Sequence, residues 1–579
     1  MDVHKIAPDF SVSPQCTPHD LSLVRAQGFC AIMINRPDGE ADDQPPAGQI
    51  EEAARAHGLE VRYLPIVPGQ ITDENVAEFA QSLQALPAPV LAFCRTGTRS
   101  ASLWALSQAG HLSTEAILQT TKEAGYDLSG LTARLEARAQ AKPGAVPTPG
   151  GKIHDVVIIG GGAAGISVAS SLLKRRPDLD IVIVEPKTEH YYQPGWTLVG
   201  GGVFDRNQTK RTMMSVMPQG VYWAKAACAA FEPEHNEVVL EGGERIRYTT
   251  LVVAPGLKLD WDKVEGLRET LGRNGVTSNY LFDMAPYTWE LVQSLKSGRA
   301  IFTQPPMPIK CAGAPQKAMY LACDAWRRAG TLTNIEVEFH NAGAVLFGVA
   351  DYVPALMAYI EKYNAKLCFN ENLVGVDGAS KTAYFNVTQA DGTSVREARE
   401  FDMIHVCPPQ GPIDFVKTSP LANEAGWVDV DGETLQHTKF GNVFGLGDGG
   451  STPNAKTAAA VRKQAPVVAH NVLRFLDGKA PNAVYNGYGS CPLTVERGKI
   501  VLAEFAYGGK LDPSFPTWLI DGTKPTRLAW FLKEKMLPSI YFNQMLKGVE
   551  WLAEPTLLTH TPKPHEAQQA CDFKDAPKP

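Results

Sequence analysis

Short, unbroken apolar runs punctuate this chain, and glycine or proline turns close them. Val156-Val157-Ile158-Ile159, Ile181-Val182-Ile183-Val184, Leu251-Val252-Val253 and Asn442-Val443-Phe444 are runs of this kind. Rich in β-branched side chains and lacking polar alternation, they read as strands covered on both faces. Between the first two lies the small-residue segment Ile166 to Leu173, which reads as a helix. Another strand is predicted at Arg299-Ala300-Ile301-Phe302-Thr303-Gln304. The helix after it has Pro315 suited to its first turn and Met319, Ala322 and Trp326 on one face. Earlier, Val90-Leu91-Ala92-Phe93 is a strand that leads into a helix from Ala101 to Leu106. The pattern predicts an α/β fold class throughout, with a small N-terminal domain, two larger α/β domains and a C-terminal amphipathic segment.

The first turn carries chemistry. Gly160-Gly161-Gly162-Ala163-Ala164-Gly165 sits between a strand and a helix, in the order of a dinucleotide fingerprint. Gly160 permits the tight turn, Gly162 lets backbone approach a pyrophosphate, and Gly165 lets helix pack on strand. Glu185 closes the next strand, where an acid binds ribose hydroxyls. These domains are therefore of Rossmann type.

Where a nicotinamide-dependent enzyme would place a second glycine loop, this chain has Pro305-Pro306-Met307-Pro308-Ile309-Lys310-Cys311 instead. Proline offers no N–H to a phosphate. A thiol ahead of a helix and beside Lys310 has a depressed pKa, which makes Cys311 a candidate reactive thiolate.

Two further segments, Tyr248 to Gly256 and Asn442 to Asp448, resemble the accessory FAD motifs of disulfide-reductase-like flavoproteins. The resemblance implies that Gly256 lies in the FAD site and that Asp448 binds the ribityl-phosphate part of the cofactor. Lys456 and Thr457 open the next helix, so its positive end could face the electron-rich edge of a reduced flavin.

From about Lys152 to Trp551 the chain resembles the mitochondrial-type sulfide:quinone oxidoreductases. His190 to Gly200, Pro308 to Lys317, Lys417 to Pro420, Ala425 to Asp431, Lys456 to Val461 and Ser490-Cys491-Pro492-Leu493 carry the likeness. It implies that Glu185 and Gln193 contact FAD, that the strand around Cys228 touches the adenine through its backbone, and that Cys311 is the flavin-attacking thiol of a redox pair. Sulfide would be captured on the sulfur bridge of that pair, with quinone taking the electrons. In the family pattern the second cysteine follows the Gly-Asp motif, and here Gly449 stands there. Three readings follow. Cys407, ending the strand Met403-Ile404-His405-Val406, reaches the site from another direction. Or Cys311 works alone, takes a persulfide formed elsewhere and passes sulfur to a small thiol such as glutathione. Or the flavoprotein has another specificity.

Upstream, Cys94-Arg95-Thr96-Gly97-Thr98-Arg99 links a strand to a helix, so Cys94 is ringed by backbone N–H groups and the Arg99 guanidinium. The loop resembles that of phosphatase-like sulfurtransferases and rhodaneses, and Ser13-Pro14-Gln15 and Asn35 to Glu40 fit the former. It is one residue shorter than the cysteine-phosphatase signature, where the arginine falls at Ser100. That favours a sulfane sulfur over a phosphate; Asp38 and Asp73 are the candidate general acids. Dephosphorylation governed by a flavoprotein, NAD(P)H-dependent flavin reduction, and thiol sensing at Cys311 are the rival functions.

Boundaries follow composition: a phosphatase-like sulfurtransferase domain over 1–138, a Pro- and Gly-rich linker over 139–151, the flavoprotein over 152–551, and a disordered tail over 552–579. At 579 residues, 44% hydrophobic and 20% charged, several cores are affordable, and a net charge of −7 argues against nucleic acid. Ten cysteines without paired short spacings show neither a zinc site nor a disulfide framework, which fits a reducing cytoplasm. Met1 to Lys5 carries no secretory signal pattern, and no run of about 18 apolar residues exists to span a membrane. Within 525–551, Trp530, Phe531, Leu537, Ile540, Tyr541 and Phe542 interleave with Arg527, Lys533, Lys535 and Lys547. The segment reads as a face that docks on the inner, energy-transducing membrane where quinone is reached, with a homodimer contact as the alternative.

Overall fold

The computed structural model describes residues 2–7, 9–109, 112–141 and 152–558. They fall into two compact units, one of the described residues up to 141 together with Tyr222–Ala224 and one of the other described residues from 152 on. The linker core 142–151 and the tail from 559 lie outside the described residues.

The first unit is a five-stranded sheet in the order His4–Ala7, Phe10–Ser13, Val90–Phe93, Ala31–Ile34, Glu60–Tyr63. Only the first pair is antiparallel. Strand Val90–Phe93 is wholly buried at the centre, because alternate side chains serve two cores. Val90 and Ala92 pack with Phe79 and Leu103, while Leu91 and Phe93 pack with Leu21 and Ile50. The chain leaves that strand directly into Cys94, and helix Thr98–Gln108 begins four residues later.

The second unit holds two parallel-centred sheets. One runs Ile181–Val184, Ile153–Ile159, Arg245–Val253, Glu237–Leu240, Cys228–Glu232, with Val443–Gly445 also on Arg245–Val253. The other runs Val276–Thr277, Met403–His405, Gly298–Gln304, Ile335–Asn341, Lys366–Phe369, all parallel. Helices Ala163–Arg175 and Ala314–Ala329 follow strands Ile153–Ile159 and Gly298–Gln304 of the respective sheets, as the apolar runs predict. Hairpin Gly489–Glu496/Lys499–Phe505 packs on helix Ala314–Ala329, with Leu493, Val495, Val501 and Ala503 in its core.

The C-terminal segment is irregular. Helix Arg527–Phe531 runs into π-helical turns at Leu532–Met536 and Ile540–Gln544, a form that marks functional sites more often than plain helix does. Trp530 and Leu532 turn inward onto Ile500 and Leu502, whereas Trp518, Phe531 and Trp551 are exposed. Residues 552–558, placed by composition in the tail, are ordered. Thr556–Leu557 pairs antiparallel with Ala483–Val484, a backbone ladder that polar composition does not reveal. Among the described residues no helix is long and apolar enough to cross a membrane.

Candidate functional site

The glycine turn is built as its spacing requires. Gly160 has φ +102°, and a Cβ there would sit 2.4 Å from the Ala254 carbonyl oxygen. A Cβ on Gly165 would meet the Gly160 oxygen at 1.9 Å, whereas Gly162 faces open space. Glu185 accepts the Gly161 N–H at 2.9 Å through one oxygen and the Lys187 N–H at 2.8 Å through the other, so its first task is to hold the turn.

A cleft opens from this turn. Gly160, Gly162, Ala163, Ala164, Glu185, Gln193, Gly256, Asp448, Lys456, Thr457 and Cys311 all line it. Cys228 does not; it is buried at the start of a sheet strand, its thiol near the Ala230 carbonyl. Gly165 lies behind the wall, as a packing residue should.

The cleft suits a large polar ligand. Trp196 Nε1, Thr197 Oγ1 and both side-chain atoms of Asn279 are buried at its wall without a protein partner, and buried polar groups rarely remain so. Burial raises the Asp448 carboxyl above its ordinary value, against the pull of Lys310 and Lys456. Burial brings the Lys456 ammonium down to about 8; it donates to the Gly450 carbonyl at 2.9 Å and lies 4.2 Å over the Trp427 ring. Lys456 is therefore a fixed part of the wall, and its carbonyl accepts the Cys311 N–H at 2.9 Å.

Cys311 stands at the cleft with φ +52°, a left-handed conformation that bulky residues seldom adopt. Its sulfur lies 3.9 Å from that of Cys491 and accepts from Lys317 Nζ at 3.1 Å. The Cys491 bond foremost, and then the Lys317 and Lys533 charges, hold the Cys311 thiol well below its usual range despite burial. The same bond, added to burial, pushes Cys491 well up. The pair is thus polarised, with Cys311 the better thiolate of the two. Gly313 makes room for it, because a Cβ there would strike Leu493 at 2.4 Å.

Gly449 and Cys407, the other positions considered for a partner thiol, stand differently from this pair. A Cβ at 449 would already lie 2.9 Å from the Gly256 oxygen, so glycine fits that tight corner. Cys407 is buried, its thiol pushed up to about 12 mainly by burial, and its sulfur contacts Gln410 and the Pro408 carbonyl. The sulfur set against Cys311 belongs to Cys491. In sequence Cys491 stands only within the stretch Ser490 to Leu493, because a cysteine alternating with Leu493 and Val495 on an apolar face reads as core.

In the first unit Cys94 is fully buried at the mouth of its loop, and Gly97 has φ +88° under the Tyr126 hydroxyl. Arg99 does not point freely into the loop. It donates to the Ile66 carbonyl at 2.7 Å and to Glu40 at 2.8 Å, and Arg36 shares that Glu40 oxygen at 2.6 Å. Asp38 is committed to the Ala47 N–H of the next helix at 2.7 Å, which leaves it poorly placed as an acid; the Asp73 side chain lies outside the described residues.

Residues 154–465 match the family described as pyridine nucleotide-disulphide oxidoreductase, more than half of the chain. Over 408 residues the chain is 45% identical to the mitochondrial sulfide:quinone oxidoreductase of Dictyostelium discoideum, covering 70% of this chain and 88% of that one. The Mus musculus counterpart is 38% identical over 395 residues, 68% of this chain and 87% of the relative. The chain belongs to the sulfide:quinone oxidoreductase family. Its cleft is accordingly that of a flavoprotein. The fold of this sulfide:quinone oxidoreductase unit is also like that of the Aquifex aeolicus sulfide:quinone oxidoreductase structure, with a TM-score of 0.57 at 18% identity over 70% of this chain and 98% of that one. Residues 2–111 match a second family, the phosphatase-like domain of beta-lactamase hydrolase-like protein. The protein of that name from Agrobacterium fabrum is 35% identical over 126 residues, 21% of this chain and 29% of its own length.

Proposed function

We propose that the second unit oxidises sulfide at the Cys311–Cys491 pair and passes two electrons through FAD to a quinone, and that the first unit receives sulfane sulfur on Cys94. The observation that carries the reading is the 3.9 Å contact between the Cys311 and Cys491 sulfurs beside Lys317, with Cys311 and Lys317 lining the glycine-turn cleft.

The pair's chemistry follows from its asymmetry. With the two sulfurs joined, hydrosulfide attacks Cys311, the sulfur that lines the cleft; its sulfur bonds to Cys311 while the bond to Cys491 breaks. Cys491 leaves as a thiolate under the Lys317 charge, and the hydrosulfide proton passes to solvent. A small thiolate then takes the outer sulfur as a persulfide and leaves Cys311 as a thiolate. Rejoining the pair releases two electrons. FAD, when bound, accepts those electrons and hands them to quinone. Gly160, Gly162 and the helix N-terminus at Ala163 would hold its pyrophosphate, Glu185 its ribose side, and Asp448 and Lys456 the far end.

Exposed Trp518, Phe531 and Met536 near Lys524, Arg527 and Lys535 suit docking on a lipid surface, from which quinone would enter. Cys94, at the base of a loop between a buried strand and the start of a helix, suits a sulfane sulfur carried from the small thiol.

The test is anaerobic addition of sulfide, followed by a short-chain quinone, to the full-length holoprotein. The flavin should bleach and then recover, and Cys311→Ser should stop the bleaching. Undiminished bleaching in that variant would sink the mechanism. With NADH in place of sulfide the flavin should stay oxidised. Cys94→Ser should leave quinone reduction intact and slow sulfur transfer from the small-thiol persulfide.

A further inference from the structure

Hairpin Gly489–Glu496/Lys499–Phe505 acts as a partition. On one face Cys491, Leu493, Val501 and Ala503 join the core that holds the thiol pair. On the other, Ile500 and Leu502 pack against Trp530 and Leu532 of the C-terminal segment. Ser490 and Glu504 stand directly opposite each other across the ladder, and both line the cleft on this second face. The period of two thus separates Glu504 from its ladder neighbours Cys491 and Ala503.

Glu504 is 5% exposed. One carboxylate oxygen accepts the Tyr488 hydroxyl at 2.6 Å and the other the Ser514 N–H at 3.2 Å. Tyr488 also lies 3.1 Å from Ser514 Oγ, and Lys463 sits 5.6 Å over its ring. The same cleft is lined by apolar Phe515, Leu532, Leu537, Ile540 and Met545, and by the Arg462 guanidinium, which feels the Glu504 charge. Burying a carboxylate is costly, and this one is both oriented and left facing the cleft.

We propose that Glu504 is the proton donor to the quinone. This rests on the reading that quinone takes the electrons. A quinone needs two electrons and two protons to become a quinol. The Glu504 carboxylate first takes a proton from solvent; as electrons arrive, that O–H bond breaks and an O–H bond forms on the quinone oxygen. The carboxylate left behind keeps its bonds from Tyr488 and Ser514 and takes a new proton from solvent before the second delivery. Tyr488 is the positioning residue: burial, and then the Glu504 charge, raise its hydroxyl well above the ordinary value, so it stays a donor and fixes the carboxyl.

The two half-reactions separate the claims, with the holoenzyme and Glu504→Gln, Glu504→Asp and Tyr488→Phe compared. Sulfide should bleach the flavin of each at the parent rate. Recovery with a short-chain quinone should slow about 100-fold in Glu504→Gln and by less in Glu504→Asp and Tyr488→Phe, with dye-reported proton uptake slowed in step. Binding of an unreactive quinone analogue, read by tryptophan fluorescence, should be unchanged. Parent-rate recovery and proton uptake in Glu504→Gln would overturn the proposal, as would an affinity loss that accounts for all of the slowing. If Glu504→Gln fails to hold flavin, Glu504→Asp and Tyr488→Phe carry the comparison, and recovery at the parent rate in both overturns it. Failure of quinone to reoxidise the unsubstituted enzyme after normal bleaching would sink the quinone reading itself, and this inference with it.

Discussion

Cys311 and Cys491 are 180 residues apart in sequence and 3.9 Å apart at their sulfurs. The contact joins a proline-framed loop to an antiparallel hairpin, and it gives each thiol the opposite shift. Removing either sulfur should abolish sulfide-driven bleaching, a loss of at least about 100-fold, because an activated nucleophile and its partner act as a unit. Cys491→Ala should also raise the Cys311 thiol by removing the bond that contributes most to its low pKa. Cys407→Ser should keep both the bleaching rate and the alkylation of Cys311. Anaerobic stopped-flow spectra of the three variants decide this; equal loss in Cys407→Ser would restore that residue to the site.

Lys317 is buried, and its ammonium stays charged because the attraction of Cys311 and Cys491 outweighs burial. Lys317→Met should therefore move the midpoint of Cys311 alkylation to higher pH and lower the rate at neutral pH. Lys533→Met should move it the same way by less, since burial, followed by repulsion from Lys317, brings the Lys533 ammonium down to about 7 and leaves it only partly charged. A pH series of iodoacetamide rates on the reduced protein reads both shifts. An unmoved midpoint in Lys317→Met would detach that lysine from the thiolate.

Much of this was legible before any coordinates. The strand, glycine turn and helix at 156–173 carry local signals, and so do Cys311 and the Cys94 loop: fixed spacing, a turn that needs glycine, a helix start. What was not legible rests on contacts remote in sequence. Cys491 belongs to a strand whose apolar alternation describes a core face equally well, and only the hairpin's seat on helix Ala314–Ala329 brings it to Cys311. Glu504 lies in the same hairpin, where its sequence neighbours Ala503 and Phe505 give no hint of a buried polar site. Arg99 was read as a guanidinium for the loop, but Glu40 sits 59 residues away, and nothing local says that it would take the charge.

Gly165→Ala should cost the flavin. The new methyl would lie 1.9 Å from the Gly160 oxygen, closer than any van der Waals contact allows, so the helix must move off the turn that would cradle the pyrophosphate. Purified Gly165→Ala should carry little flavin, read as the ratio of visible to protein absorbance, and added FAD should bind about tenfold more weakly or worse. Gly162→Ala should be milder, because a Cβ there meets nothing within 4 Å. Full flavin content in Gly165→Ala would contradict the packing account.

His340 is buried between two carboxylates, 2.8 Å from Glu338 and 2.8 Å from Glu371, stacked on Phe385, with Lys366 on the far oxygen of Glu338 at 3.0 Å. Burial alone would lower its pKa, but the bonds and charges of Glu338 and Glu371 together raise it. A raised folded-state value means that the imidazolium stabilises the fold in full below the unfolded value. That contribution fades as pH rises through the folded value. Glu338 is held at about 2, chiefly by the His340 bond, so its own contribution is present above the ordinary glutamate value and is lost only in strong acid. His340→Gln leaves two buried carboxylates with one neutral amide between them and should cost about 3 kcal/mol near pH 6. The difference from the parent should shrink in alkaline buffer, where the parent's imidazolium is itself deprotonated. Urea unfolding of the holoprotein, followed by flavin fluorescence at acidic and alkaline pH, measures it. A penalty that stays constant across that range would mean that His340 acts through packing on Phe385 rather than through charge.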